Sequence, residues 1–163
     1  MADKADPNPF NSALETGVRS VAILVAAFPS AYDIQRLVEM DYLVVHSGDA
    51  EGPTSLHAPL PLRAGELLVR RSLIESGLRL MMSRSLVRRL ATAEGISYVA
   101  GDSASPYLAA LTSDYISVLR MRADWAVDRF RGVPTDEIRQ ITQRLFERWS
   151  SQFQPIQTVG QQQ

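Results

Sequence analysis

The chain has 163 residues, of which 45% are hydrophobic and 21% charged, and its formal net charge is -1. That length and balance suit one soluble globular domain with a sizeable core, and they exclude a disordered chain or a strongly basic nucleic-acid coat. The absence of cysteine excludes disulfides, thiolate chemistry and cysteine-based zinc sites, and it fits a reducing cytoplasm.

Lys4 is the single lysine, and arginine supplies every other basic side chain. Arginine suits buried and interfacial ion pairs because its planar fork holds carboxylates bidentately. A GC-rich genome would give the same bias. The most apolar run, Val21 to Phe28, falls far short of the about 20 residues a bilayer-spanning helix needs. The N-terminal MADKADPNP is acidic and proline-rich, unlike a signal peptide. A cytoplasmic protein without membrane contact is expected.

Residues 1–10 read as a disordered arm, 11–153 as one domain and 154–163 as a frayed tail. Ser12, with Glu15 three residues on, has the form of a capping box and should open a helix that stops before Pro29. This helix carries Leu14, Val18, Val21, Ile23, Leu24 and Val25, and its second half is apolar nearly all round, so it should be buried on most sides. Ser30 is expected to cap a second helix, from Ala31 to about Val45. Its core face is Ile34, Leu37, Val38, Tyr42 and Val45, and Asp41 among them should pair with an arginine. The connection from His46 to Arg63 exceeds the usual loop length, which marks it as functional or mobile.

From Arg63 the run RAGELLVRRSLIESGLRLMMSRS predicts one long helix. It leads into two short strands, LVRRLA and ISYVA, joined at Thr92 to Gly95. A helix followed at once by a β-hairpin is the pattern of a winged helix-turn-helix. The fold expected is therefore mainly α: a winged helix-turn-helix-like domain with one two-stranded hairpin (62–101) and a C-terminal helical extension (105–153). Within that extension, Ser105 and Pro106 should start a short helix to Leu111. A longer one should run from Ser113 or Asp114 to about Arg131, with Ile116, Leu119, Ala123, Val127 and Phe130 as its stripe. Thr135 should cap the last helix, which bears Ile138, Ile141, Leu145, Trp149 and Phe153, with Asp136 and Glu137 in its first turn.

Nothing in the chain has the pattern of a hydrolase elbow, a phosphate loop, a dinucleotide fingerprint or a zincin helix, so neither catalysis nor a cofactor is expected. His46, Asp49 and His57 are a weak candidate metal set, because imidazole and carboxylate suit zinc or manganese but no fourth ligand is suitably spaced. His46 could equally favour the negative end of the second helix.

Seven arginines (63, 70, 71, 79, 84, 88 and 89) against Glu66 and Glu75 leave a local charge of +5. Arg84, Arg88 and Arg89, at and before the first strand, are candidate phosphate contacts. The helix before them is poorly built for reading bases. At about 100° per residue, Leu67, Ile74, Leu78, Met81 and Met82 share one face, and Val69, Leu73 and Leu80 form a second stripe. The remaining strip of Leu68, Ser72, Glu75, Ser76 and Arg79 has no amide for base edges. A helix apolar on two sides is wedged between neighbours, within its own fold or against another chain. Candidate partner-docking residues are Arg70, Arg71, Arg79, Tyr107, Tyr115, Trp125 and Trp149, with Phe146 beside them, since arginines and edge aromatics together mark interfaces. The same aromatics could instead close over the domain's own core.

The run LETGVRSVAILVAAFPSAYDIQRLVEMDYLVVHSGD and the following GPTSLHAPLPLRAGELLVRRSLIESGLRLMMSRSLV, with IS-Y-VAG after them, resemble a bacterial family. It is the middle component, second type, of the ABC three-component conflict systems, and the resemblance covers roughly two-thirds of the chain. The blocks Tyr42 to Asp49 and Leu56 to Arg71 carry it most distinctively. The resemblance implies a small winged-helix-like adaptor, encoded beside an SMC-like ABC ATPase and an effector that is often a nuclease, in systems related to Lamassu-type phage defence. It carries over no catalytic residue. The function expected is therefore a non-enzymatic adaptor, with a winged-helix DNA-binding regulator as the alternative.

Overall fold

The computed structural model describes residues 12–57 and 63–157, with side chains described at all of these except 63–68, 146 and 149–157. The expected arm 1–10 and the last residues of the expected tail lie outside the described residues, as do the side chains of Phe146, Trp149 and Phe153. The elements are α1 (Ala13–Ala27), α2 (Ile34–Val45), a 3-10 turn (Ser47–Ala50), α3 (Arg63–Ser83), β1 (Val87–Thr92), β2 (Gly95–Ala100), α4 (Ala104–Ala110), α5 (Asp114–Arg129) and α6 (Thr135–Gln157). The protein is mainly helical, and among the described residues its sheet is one antiparallel hairpin.

The fold is organised around α1. Every residue from Thr16 to Leu24 is buried, because five elements pack on this helix and its second half is apolar nearly all round. It packs against α3, α5, α2, β2 and α4. Ser12 caps it as the sequence predicts, with Oγ accepting from the Glu15 N–H at 3.2 Å. The crossing with α3 is made by two glycines. A Cβ on Gly77 would lie 2.7 Å from the Gly17 nitrogen and 2.9 Å from the Ala13 carbonyl oxygen, so the two backbones meet where no side chain fits.

α2 starts later than expected. Its N-cap is Asp33, whose side chain accepts from the Arg36 N–H at 2.8 Å. Ala31 cannot be helical because Tyr32 is drawn into a bridge with Tyr98, each N–H donating to the other's carbonyl at 2.9 and 2.8 Å. This bridge ties the α1–α2 connection to β2. α4 also begins before the predicted Ser105, at Ala104, while Ser113 caps α5 with Oγ accepting from the Ile116 N–H at 3.3 Å. α6 continues as helix to Gln157, past the expected break at Gln154.

Two side chains of α2 set the C-terminal helices. Arg36 donates to the carbonyls of Phe130 at 3.0 Å and Val133 at 2.7 Å, and to Thr135 Oγ1 at 3.3 Å, binding the end of α5 to the start of α6. Its guanidinium also lies 4.8 Å from the centre of the Tyr32 ring. Buried Glu39 accepts from Thr142 Oγ1 at 2.7 Å, seating α6 against α2 beside the buried Ile138. Among the described residues no helix is long and apolar enough to cross a membrane.

Candidate interaction site

Three helices meet at a buried ion triad. Asp41 on α2 is fully buried and accepts from Arg19 of α1, with Nε at 2.8 Å from Oδ1 and Nη2 at 3.3 Å from Oδ2. Arg70 of α3 also donates to Oδ2. Burial by itself would raise the carboxyl pKa, but the two guanidiniums outweigh it and hold Asp41 down at about 2. The arginine expected for Asp41 is thus two arginines. Arg70 is corrected from a docking residue to an internal one: 6% exposed, its charge is spent on Asp41. Sequence reasoning misses Arg19, although a lone arginine beside an apolar helical run is itself a sign of a buried carboxylate partner.

The candidate metal set does not converge. Asp49 Oδ2 accepts from the Tyr42 hydroxyl at 2.8 Å, the His46 ring lies 5.0 Å from that of Tyr42, and His57 Nε2 is 3.0 Å from the Tyr115 hydroxyl. Among the described residues no three acidic, histidine or cysteine side chains are placed to hold a metal ion. The three candidates fasten the connection to the helices instead.

The described part of that connection is docked, with its polar groups matched in several places. Ser47 Oγ donates to the Pro53 carbonyl at 2.8 Å, the Gly48 N–H to Ser55 Oγ at 3.0 Å, and the His57 N–H to the Val45 carbonyl at 3.0 Å. From α5, Arg122 Nε donates to the Thr54 carbonyl at 2.9 Å. Half-buried Trp125 lies over Gly52, where an added Cβ would come within 2.2 Å of the indole. Its ring is also edge-on to Phe130, with centroids 6.4 Å apart. Trp125 and Tyr115 therefore hold the protein's own loop, the alternative that sequence alone leaves open.

Burial, reinforced by the nearby Arg19 charge, lowers the His57 pKa to about 4. The folded value lies below the ordinary 6.5, so the native state favours the neutral ring. Its contribution is complete above pH 6.5 and is lost as pH falls from there through about 4. Thermal melts across that window should show a loss of about 1–2 kcal/mol, allowing for the solvent screening of a partly exposed ring. In His57→Gln, which keeps a hydrogen-bonding group beside Tyr115 without the titration, the loss should vanish. An unchanged slope in that variant would reassign it to other groups.

The outer surface carries the remaining candidates. Arg71 pairs with Glu75 at 3.4 Å and Arg79 donates to Ser76 Oγ at 3.2 Å, both in exposed positions on α3. The second stripe of α3 is not buried as a whole: Val69 is 58% exposed and Leu73 and Leu80 are half-buried. Of the first face, Ile74, Leu78 and Met81 lie inside as expected and Met82 is half-buried, while the Leu67 side chain lies outside those described. Tyr107 is half-buried against the core, and the Trp149 side chain lies outside those described. Arg84, Arg88 and Arg89 are all exposed, and on the same hairpin Leu90 and Ile96 are 38% and 41% exposed. Alternation along β1 places Arg88 and Arg89 on opposite faces.

Fold and surface together define a class: a small helical protein built on one buried helix, locked by an internal ion triad and projecting a basic β-hairpin. The chain belongs to the ABC-three component (ABC-3C) system Middle Component 2 family, whose model matches residues 9–152. No curated protein and no solved structure matches it. As one component of a multi-component system, the protein works with protein partners.

Proposed function

We propose that the protein is a non-enzymatic adaptor, joining an SMC-like ABC ATPase to an effector, often a nuclease, in a prokaryotic defence complex against phage or plasmids. The observation that carries this reading is membership of a middle-component family over residues 9–152. The build of the fold supports it. The ion triad joins α1, α2 and α3, and the Tyr32–Tyr98 bridge ties β2 to the same body, so the hairpin is presented in a set orientation. Arg71, Arg79, Val69 and the hairpin side chains are the docking surface this leaves in solvent. Partners that bind the folded form stabilise it by mass action. The adaptor acts in the cytoplasm and needs no cofactor.

Co-purification of the ATPase and effector encoded beside it tests the proposal. The two should associate when the adaptor is co-expressed and separate when it is omitted. An ATPase–effector complex that forms equally well without it would remove the adaptor role.

A winged-helix DNA-binding regulator is the second reading, favoured by the exposed Arg84, Arg88 and Arg89. Phosphate binding would make affinity fall steeply with salt, and Arg88→Ala with Arg89→Ala would flatten that slope by about one unit for each arginine that meets a phosphate. The opposite orientation of the two strand arginines weighs against it, since one phosphate backbone cannot lie along both faces of a hairpin.

A further inference from the structure

The two edges of the hairpin differ. β1 pairs with β2 in the register Arg88 with Val99, Arg89 with Tyr98, Leu90 with Ser97 and Ala91 with Ile96. Tyr98 turns both its N–H and its C=O toward Tyr32, away from β1. Arg89 and Tyr98 are therefore a non-hydrogen-bonded pair, and the backbone groups of Arg89 point outward from the free side of β1. The alternation gives Ala91 the same outward orientation. So the β2 edge is closed at Tyr98 by Tyr32, whereas among the described residues nothing is bonded to the outward groups of Arg89 and Ala91. Arg88 to Thr92 are all exposed.

We infer that the free edge of β1 takes up an extended acidic segment of a partner protein as a third strand, with adjacent carboxylates meeting Arg88 on one face and Arg89 on the other. An added strand supplies N–H and C=O groups in the alternation that the outward groups of Arg89 and Ala91 require. Because its successive side chains point to opposite faces, two neighbouring acids reach two neighbouring arginines. An apolar residue beside them would cover Leu90, which shares the face of Arg88. A second copy of the chain is a poor occupant, since its own β1 edge, Val87–Thr92, carries two arginines and no acid to meet them. Nucleic acid is poorer still: phosphates offer no donors to the outward carbonyls and reach the arginines of one face at a time. This deepens the adaptor reading by naming the chemistry of one partner segment, and rests on it only in taking the partner to be a protein.

The test uses the full chain alone, so that its failure leaves the co-purification result standing. The probe is a synthetic peptide, Thr-Val-Glu-Asp-Val-Thr-Val, capped at both ends; its comparators are the same peptide with Gln-Asn for Glu-Asp and a DNA duplex. The acidic peptide should bind and slow hydrogen exchange at the Arg89 and Ala91 amides. Arg88→Glu with Arg89→Glu should weaken it by about tenfold, the equivalent of about 1.4 kcal/mol. Ala91→Pro should weaken it comparably, because it removes an outward N–H and no bond within the hairpin. Amide protection in the unmutated protein reads the edge pairing even if that variant misfolds. The inference is overturned if the acidic peptide does not bind, if the Gln-Asn peptide binds as well, if bound peptide leaves both amides unprotected, or if the duplex binds at the hairpin and the peptide does not.

Discussion

Asp41→Asn should lower the unfolding free energy by about 3–5 kcal/mol, because it removes the buried charge that both guanidiniums bond. Two guanidiniums, on Arg19 and Arg70, would then face each other across a neutral amide in a site where Asp41 is 0% exposed and Arg19 2%. Against a total stability of about 5–15 kcal/mol for a domain, that loss brings the chain close to unfolding at ordinary temperatures. Denaturant midpoints measure it. Replacing the whole cluster by apolar residues of similar size, as in Arg19→Met with Asp41→Leu and Arg70→Met, should recover much of the loss. The carboxyl pKa sharpens the test. Folded at about 2 and ordinarily at 3.8, Asp41 contributes stability that is complete above 3.8 and lost as pH falls through about 2, and that acid limb should be absent in Asp41→Asn. A variant losing less than about 1 kcal/mol would show that the triad relaxes or takes in water.

Gly77→Ala should destabilise by about 1–3 kcal/mol through overpacking, even though alanine favours a helix interior by about 1 kcal/mol over glycine. The new methyl would meet the Gly17 nitrogen and Cα and the Ala13 carbonyl, all backbone atoms, at 2.7 to 2.9 Å. None can step aside unless α1 moves, and α1 is the helix against which α2, α4, α5 and β2 also pack. Gly17→Ala should cost less, because the first atom in its way is the flexible end of Met81, at 2.8 Å, and the backbone atom it meets, the Gly77 carbonyl oxygen, is at 3.0 Å. Melting temperatures of the two variants check the order, with about 2–4 °C expected per kcal/mol for a chain of this size. Because α3 leads directly into the hairpin, Gly77→Ala should also weaken assembly with the partner components at temperatures where the fold persists.

Both variants act on positions whose packing is hard to read from sequence, and the reason is one of range. The caps at Ser12 and Ser113 bond to N–H groups three residues away, so a short window of sequence is enough to place the starts of α1 and α5. Apolar periodicity likewise determined that the second half of α1 is buried on most sides and that Ile74, Leu78 and Met81 face inward. The order of helix and hairpin, and the resemblance to a middle-component family, were also legible in the residues. Arginine carries no such local sign of its fate. Arg70 and Arg71 are neighbours, yet one reaches an aspartate 29 positions away inside the fold and the other pairs with Glu75 at the surface. Tyr32 leaves the expected helix because Tyr98 waits across the fold, and His57 is pushed toward neutrality by burial under α5 and by Arg19. The sequence by itself thus determined the order of the elements and the inner faces of α1 and α3, through forces that act within a turn or two of chain. Which charges are buried, which strand edge stays open and how closely two glycines approach were decided only by the tertiary structure, because each depends on atoms brought together from distant parts of the chain.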